Sequence, residues 1–299
     1  MREAIKTLMP TTLRAAYREH RQRRWRAAVL RKTLSGHKGI ANGRYLTYLV
    51  KEGATNRLKA HIFAHALAEE TGRTLVPCWY RNSECYATYT DLCIAQSSDD
   101  WRYADYLLVR YNETTDRADP ELNLIRTSSV DLIVLDLSWQ YARLAKLVDR
   151  LGGSADYKHK ALASFSPQPD ILDQVKKRKT EWRGTMIGVH ARFGDFVDFR
   201  QAINVERYIT ATKRALIEHP GAGIFLSSDG SAEQLAPFFA AFQEQITHQT
   251  SLGRDNIAGV QHAFADILML RDCDHLILTP HSGFGEFAAR LGGVPFEYA

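Results

Sequence analysis

The sequence predicts an α/β protein made of two domains, each built on a parallel sheet. Three observations predict it. Short continuous apolar runs have the length of strands buried on both faces, amphipathic runs of helical length alternate with them, and glycines or prolines punctuate the junctions. Arg44–Val50 (RYLTYLV) is the first strand, followed by the turn KEGATN and a helix with Leu58, Ile62, Phe63, Ala66 and Leu67 on one face. Gly72 is placed as its C-cap, and RTLVP (Arg73–Pro77) completes a β-α-β unit. The stretch Cys78–Ser128 is aromatic and polar without clear period, and no element is assigned there. Asp131–Leu137 (DLIVLDL) is a buried strand, a helix over Tyr141–Leu151 ends at Gly152-Gly153, and SFSPQPD (Ser164–Asp170) reads as a linker. From there the alternation is regular. The strand Thr185–His190 leads to the helix Val205–His219, and the strand Gly223–Ser228 to a capping box at Ser231–Gln234. A helix over Val260–Leu270, the strand His275–Thr279 and the helix Gly285–Gly293 complete the chain. The predicted divisions are residues 1–38, 39–178 and 179–299.

Composition narrows the class. The 299 residues are 45% hydrophobic and 24% charged, which excludes disordered and collagenous chains. No apolar run reaches the roughly 18 residues of a membrane-spanning helix, and no apolar segment follows the N-terminal charge as in a secretory signal. Cys78, Cys85, Cys93 and Cys273 show neither CxxC nor zinc spacing. A cytoplasmic protein with free thiols is expected. Charge is uneven. Residues 1–40 carry eleven Lys and Arg against Glu3 and Glu19, a net +9 in a chain of +5, which leaves −4 for the other 259 residues. Leu13, Tyr17, Trp25, Val29 and Leu30 can share one side of this basic segment. Two readings stand for residues 1–38: peripheral contact with an anionic membrane surface at the inner face, or packing on the protein's own domain.

The chemistry lies at strand ends. Three C-terminal strands run into His190-Ala191-Arg192-Phe193-Gly194-Asp195, Ser228-Asp229-Gly230 and Thr279-Pro280-His281-Ser282-Gly283-Phe284-Gly285. In a parallel sheet all three ends share one edge, where open α/β folds bind ligands. Arg offers fixed donors for phosphate, and a helix N-terminus adds N–H groups and a positive dipole end. A nucleotide with a pyrophosphate fits this set. Other motifs are set aside. GFGEFA (Gly283–Ala288) relaxes the dinucleotide fingerprint, but the chain ends before the acidic residue that motif needs about 20 positions on. No GxxxxGK[ST] loop is present. His61 and His65 lack the adjacent Glu of a zinc protease helix, and no metal is expected. The basic tail matches no nucleic-acid module, and no nucleic-acid partner is expected.

Four segments carry a family resemblance. Ile187–Asp195 (IGVHARFGD) resembles the HxR(R)xD motif of the fucosyltransferase superfamily, which spans α1,6-, α1,2-, protein O- and bacterial nodulation fucosyltransferases. Ile224–Asp229, Asp266–Gly293 and Glu52–Trp79 resemble its other motifs, in the family's order, over less than a third of the chain. The resemblance implies a GT-B fold, two Rossmann-like domains with parallel sheets facing across a cleft. It implies transfer of a sugar from a GDP-sugar, most readily GDP-fucose, to a hydroxyl of a glycan or glycolipid acceptor, with inversion, without metal and without a cofactor. By position, Arg192 meets the β-phosphate, His190 and Asp229 help to hold guanosine, Ser282, Gly283 and Phe284 form the phosphate turn, and Asn56 faces the donor from the N-terminal domain. Glu52 is the base candidate and Asp195 a second. Phe193 departs from the family, where many members have a second Arg. The alternatives are a non-catalytic nucleotide-sugar or glycan-binding protein of the same fold, and a nucleic-acid-binding protein that uses the tail.

Overall fold

A computed structural model describes residues 43–95, 101–110, 118–137, 164–193 except 183, 204–243, 246–248 and 253–299, together with 20, 24, 25, 27–32, 34, 36 and 39. Two parallel sheets organise these residues. The first contains β1 (Tyr45–Leu49), β2 (Thr74–Leu75), β3 (Tyr106–Arg110) and β4 (Leu132–Asp136), in the order β2-β1-β4-β3. Helix α1 (Ala54–Glu70) joins β1 to β2, and α2 (Ala118–Thr127) lies between β3 and β4. The second sheet has the order β7-β6-β5-β8-β9, built from β5 (Met186–Ala191), β6 (Gly223–Ser228), β7 (Ile246–His248), β8 (His275–Leu278) and β9 (Phe296–Tyr298). Its helices are α4 (Val205–Glu218), α5 (Ala232–Phe242), α6 (Ile257–Arg271) and α7 (Gly283–Gly292), and α3 (Pro169–Lys179) enters from the first sheet.

The expected α/β architecture is thus found, with two local corrections. The linker read over Ser164–Asp170 is shorter, because Pro169 stands in the first turn of α3, where its missing N–H costs nothing and its fixed φ suits the helix. The unassigned stretch Cys78–Ser128 contains β3 and α2, and β7 and β9 extend the second sheet as three-residue edge strands. The expected helix Tyr141–Leu151 lies outside the described residues.

Both sheets change winding direction beside their first strand. In the second, β6 and β7 lie on one side of β5 and β8 and β9 on the other. In the first, β2 lies on one side of β1 and β4 and β3 on the other. The loops that leave β1 and β5 therefore diverge from their neighbours at a crevice, where α/β sheets hold ligands.

One apolar core runs through both sheets. Leu46, Tyr48, Leu58 and Phe63 of the first half belong to the same buried cluster as Phe225, Phe264, Leu276 and Phe287 of the second. Helix α6 is buried nearly all round, as expected of a helix enclosed by other elements. The basic segment settles partly on its own domain. Residues 27–32 are helical, and Val29 and Leu34 are buried with Tyr45, Trp101 and Tyr103, while Trp25 lies against Tyr80. The described part of its apolar side, Trp25, Val29 and Leu30, therefore packs inward, and Arg24, Arg31 and Lys32 point to solvent. No helix among the described residues is long and apolar enough to cross a membrane.

Candidate functional site

A cleft of about 1070 Å³ opens between the two carboxyl edges. One wall is Lys51–Asn56 and Lys59 from the β1 exit and α1, and the other carries His190, Arg192, Ser227–Asp229, His281, Gly283 and Phe284.

The C-terminal wall is tied together at strand ends. Thr279, fully buried, donates from Oγ1 to the carbonyl of His190 (2.9 Å) and accepts from the backbone N–H of Arg192 (3.0 Å). With its one proton so used, it accepts from the Tyr208 hydroxyl at 2.7 Å. Ser228 donates to the carbonyl of Ala191 (2.7 Å), and the exposed Asp229 accepts from the backbone N–H of Phe193 (2.7 Å). These bonds fix the β5 exit, so the half-buried Arg192 leaves from a braced turn. Phe193 packs on Tyr208, which places an apolar ring where the family resemblance most often has Arg.

His190 is buried and stacks on Phe284, with ring centroids 4.9 Å apart and planes at 16°. Burial and the neighbouring Arg192 push its imidazole down to about 3, so it is neutral at pH 7. Its Nδ1 is buried without a hydrogen-bond partner. A Cβ on Gly285 would fall 3.1 Å from that nitrogen and 2.6 Å from Leu278, so glycine permits this approach of α7 to β5. His281, in the preceding turn, has φ 60°, a left-handed conformation uncommon outside glycine and frequent at ligand sites.

Helices α4, α5 and α6 are capped by the side chains of Asn204, Ser231 and Asn256. Helices α1 and α7, whose first residues line the cleft, have no side-chain cap, and neither has α3. Ser282 occupies the N-cap position of α7, yet its fully buried Oγ has no partner. Buried hydroxyls are nearly always bonded, so an orphan here points to a missing acceptor.

Behind this wall sits Asp266 of α6, buried and missed by sequence reasoning. It accepts from Ser227 Oγ at 2.7 Å and lies 2.8 Å from Arg178 of α3, with His262 at 3.6 Å. Its signal in the sequence was a lone acid within the apolar run of α6.

The opposite wall is saturated from within. Arg57, fully buried, donates from Nε to the carbonyl of Glu52 (2.8 Å), from Nη1 to Tyr80 (2.7 Å) and from Nη2 to Lys51 (3.5 Å). Asn82 donates to the same Lys51 carbonyl at 2.8 Å. The turn is therefore rigid, with Glu52 Oε2 accepting from the Lys51 N–H (3.0 Å) and Asn56 on the cleft face of α1.

Of the residues singled out from sequence, Glu52, Asn56, His190, Arg192, Asp229, Gly283 and Phe284 line this cleft, and Ser282 lies just beneath it. Asp195 lies outside the described residues. His61 is a core histidine. Its Nδ1 meets Tyr48 Oη at 3.0 Å and its Nε2 the Ser164 carbonyl at 3.0 Å, and burial pushes it down to about 3. Among the described residues no group of three or more His, Cys, Asp or Glu is placed to hold a metal.

No protein-family model and no curated protein matches the sequence. Solved structures do match. Arabidopsis thaliana FUT1, a mutant in complex with GDP, aligns over 97% of this chain and 79% of its own, with TM-score 0.61 and 14% identity. NodZ α-1,6-fucosyltransferase soaked with GDP-fucose aligns over 83% and 92%, with TM-score 0.56 and 17% identity; NodZ from Bradyrhizobium matches to the same degree. The apo form of POFUT1 aligns over 87% and 98%, with TM-score 0.54 and 11% identity. The chain has the GT-B fold of these fucosyltransferases, as its four sequence segments lead one to expect.

Proposed function

We propose that the protein is a glycosyltransferase that moves a sugar, fucose first among the choices, from a GDP-sugar to a hydroxyl of a glycan or glycolipid. One observation carries the reading. Arg192, the uncapped N-terminus of α7 and two buried unpartnered polar atoms, Ser282 Oγ and His190 Nδ1, converge on one side of a cleft whose other side presents Glu52 and Asn56. That set suits an anion flanked by an acceptor. The GDP and GDP-fucose in the neighbouring structures agree in chemical class.

In the reaction, the acceptor oxygen attacks the anomeric carbon as the bond from that carbon to the β-phosphate oxygen breaks. GDP leaves with the bonding pair, and the acceptor proton passes to a base. Arg192 and the α7 N–H groups offset charge as it grows on the leaving diphosphate, the larger share of catalysis at sites of this kind. Those positive groups can do so without a divalent ion. Glu52 is the base we assign, held on the facing wall by its bond from Lys51 N–H. Asp266, a buried carboxylate on the cleft, matches the paired N–H donors along the edge of guanine. Asp229 serves mainly to hold the Arg192 turn through Phe193 N–H.

A donor screen with GDP-fucose, GDP-mannose and UDP-sugars, run with and without EDTA and read as nucleotide release with mixed glycan acceptors, tests the reading. Release of GDP from GDP-fucose, unaffected by EDTA, is expected. Tight GDP binding without turnover on any acceptor would leave a nucleotide-sugar-binding protein in its place.

A further inference from the structure

Lys59 has no part in the account so far. It lies one turn beyond Asn56 on α1, so both residues share the helix face that lines the cleft. Its ammonium reaches across to the other half of the molecule: a Cβ on Gly283, the first residue of α7, would fall 2.9 Å from Lys59 Nζ. A side chain at Gly283 would push the ammonium aside, and glycine leaves it room against the first turn of α7.

The placement is electrostatically adverse without an anion. The N-terminus of a helix is positive, equivalent to about half a charge, and repels a cation. Burial pushes the ammonium down to about 8, with Glu286 holding it up and Arg290 opposing. Glu286 is engaged by the Tyr298 hydroxyl, which donates to its Oε1 at 3.0 Å. Among the described residues the Lys59 ammonium has neither a hydrogen bond nor an ion pair within 4.0 Å. Ser282 Oγ, buried and without a partner, is at the same helix start. A partly desolvated cation, an uncapped helix and an orphan hydroxyl at one place all lack the same thing, which is an anion.

Charge arithmetic points the same way. A diphosphate leaves with about three negative charges, and among the described residues the C-terminal wall offers only two positive side chains, Arg254, which lies 3.8 Å from Glu84 of the facing wall, and Arg192. Phe193, next to it, is packed on Tyr208 and adds none.

We propose that the Lys59 ammonium is a direct ligand of the sugar-bearing phosphate of the donor, meeting it from the wall opposite Arg192, so that both halves of the molecule supply positive charge to the leaving group. The proposal rests on the donor reading above and adds a catalytic residue to it. Lys59 comes from the wall that carries Glu52, so it approaches the phosphate from the side where sugar and acceptor meet.

Calorimetric titration of the full chain with GDP and GMP tests it. Lys59→Gln should weaken GDP by tenfold or more while GMP stays within about twofold, so that the preference for the diphosphate collapses. Turnover of the sugar donor should fall in the same variant, with its melting temperature unchanged or raised. Undiminished GDP affinity would overturn the proposal, and so would equal loss of GDP and GMP, which is the mark of a packing role. The same pair of titrations with UDP and UMP separates this from the donor reading. A wild type that prefers UDP overturns guanine, and the lysine is then judged by its effect on the UDP-to-UMP ratio. A wild type that binds no nucleoside diphosphate overturns both.

Discussion

The exits of β1 and β5 occupy equivalent places in their sheets and are finished in opposite ways. After β1, the backbone closes on itself: Arg57 spends its donors on three carbonyls of its own half, and Asn82 adds a fourth bond. After β5, the strand ends are tied by Thr279 and Ser228, but two buried polar atoms at and beneath the cleft wall, His190 Nδ1 and Ser282 Oγ, have no hydrogen-bond partner. The first arrangement makes a stiff wall that holds Glu52, Asn56 and Lys59 in place. The second leaves buried polar atoms that the proposed donor would engage. Stability and binding should therefore separate cleanly between the two exits.

The sharpest test of that separation is Arg192→Ala. It should lower the rate of transfer by about 10²-fold or more while the melting temperature stays put, because one donor to developing charge is lost from a half-buried side chain on the cleft. Near-normal turnover of the folded variant would break the assignment. At the other exit the order reverses. Arg57→Met should cost about 3 kcal/mol in denaturant unfolding, since three carbonyls lose a buried charged donor. An effect on GDP affinity as large as that on stability would mean that the wall is itself part of the binding site.

Ser282→Ala sharpens the comparison further. Removing a buried hydroxyl that has no partner should leave the free protein as stable or slightly more so, and weaken GDP by about fivefold. A destabilised free protein would show that the hydroxyl has a structural partner after all. A last test concerns acid. His61 and His190, one in each half, are pushed down to about 3 by burial, against an ordinary value near 6.5. The unfolded chain therefore takes up protons that the folded chain refuses, and stability should fall as pH drops from about 6.5 towards 3. Melting curves across that range should shift as a single transition, with a shallower pH slope in His61→Gln.

Much of this was legible before any coordinates, and the rest was not for physical reasons. β1, β4, β5, β6 and β8 are continuous apolar runs because neighbours cover both faces, and such runs announce themselves. β3 is also apolar but lies in an aromatic stretch, and only its pairing with β4, over 20 residues away, makes it a strand. β7 and β9 have three residues each, too few for a pattern. Helix α3 buries only Ile171 and Val175, so its polar sequence shows little helical pattern and its first two residues read as the end of the linker, although Pro169 ahead of Asp170 marks a helix start. In the site, residues at strand ends could be named because topology alone brings them to one edge. Lys59 and Asp266 sit inside helices, and their roles depend on which helix face meets the other half, which a single sequence does not state.

The shared core has a consequence for how such a protein can be rebuilt. α7 lies against α1, Phe287 against Phe165, and Gln168 donates to the carbonyls of Thr90 and Cys93 just before the chain enters α3. Cutting between the sheets would bare the apolar sides of α6 and α7 together. A half exchanged for that of another protein of this fold would arrive with the wrong mating surface, however well its own strands were formed. If the protein transfers sugar as proposed, new acceptor preferences should come from residues on the cleft rim, because the two halves are one inheritable piece and cannot be traded as cassettes.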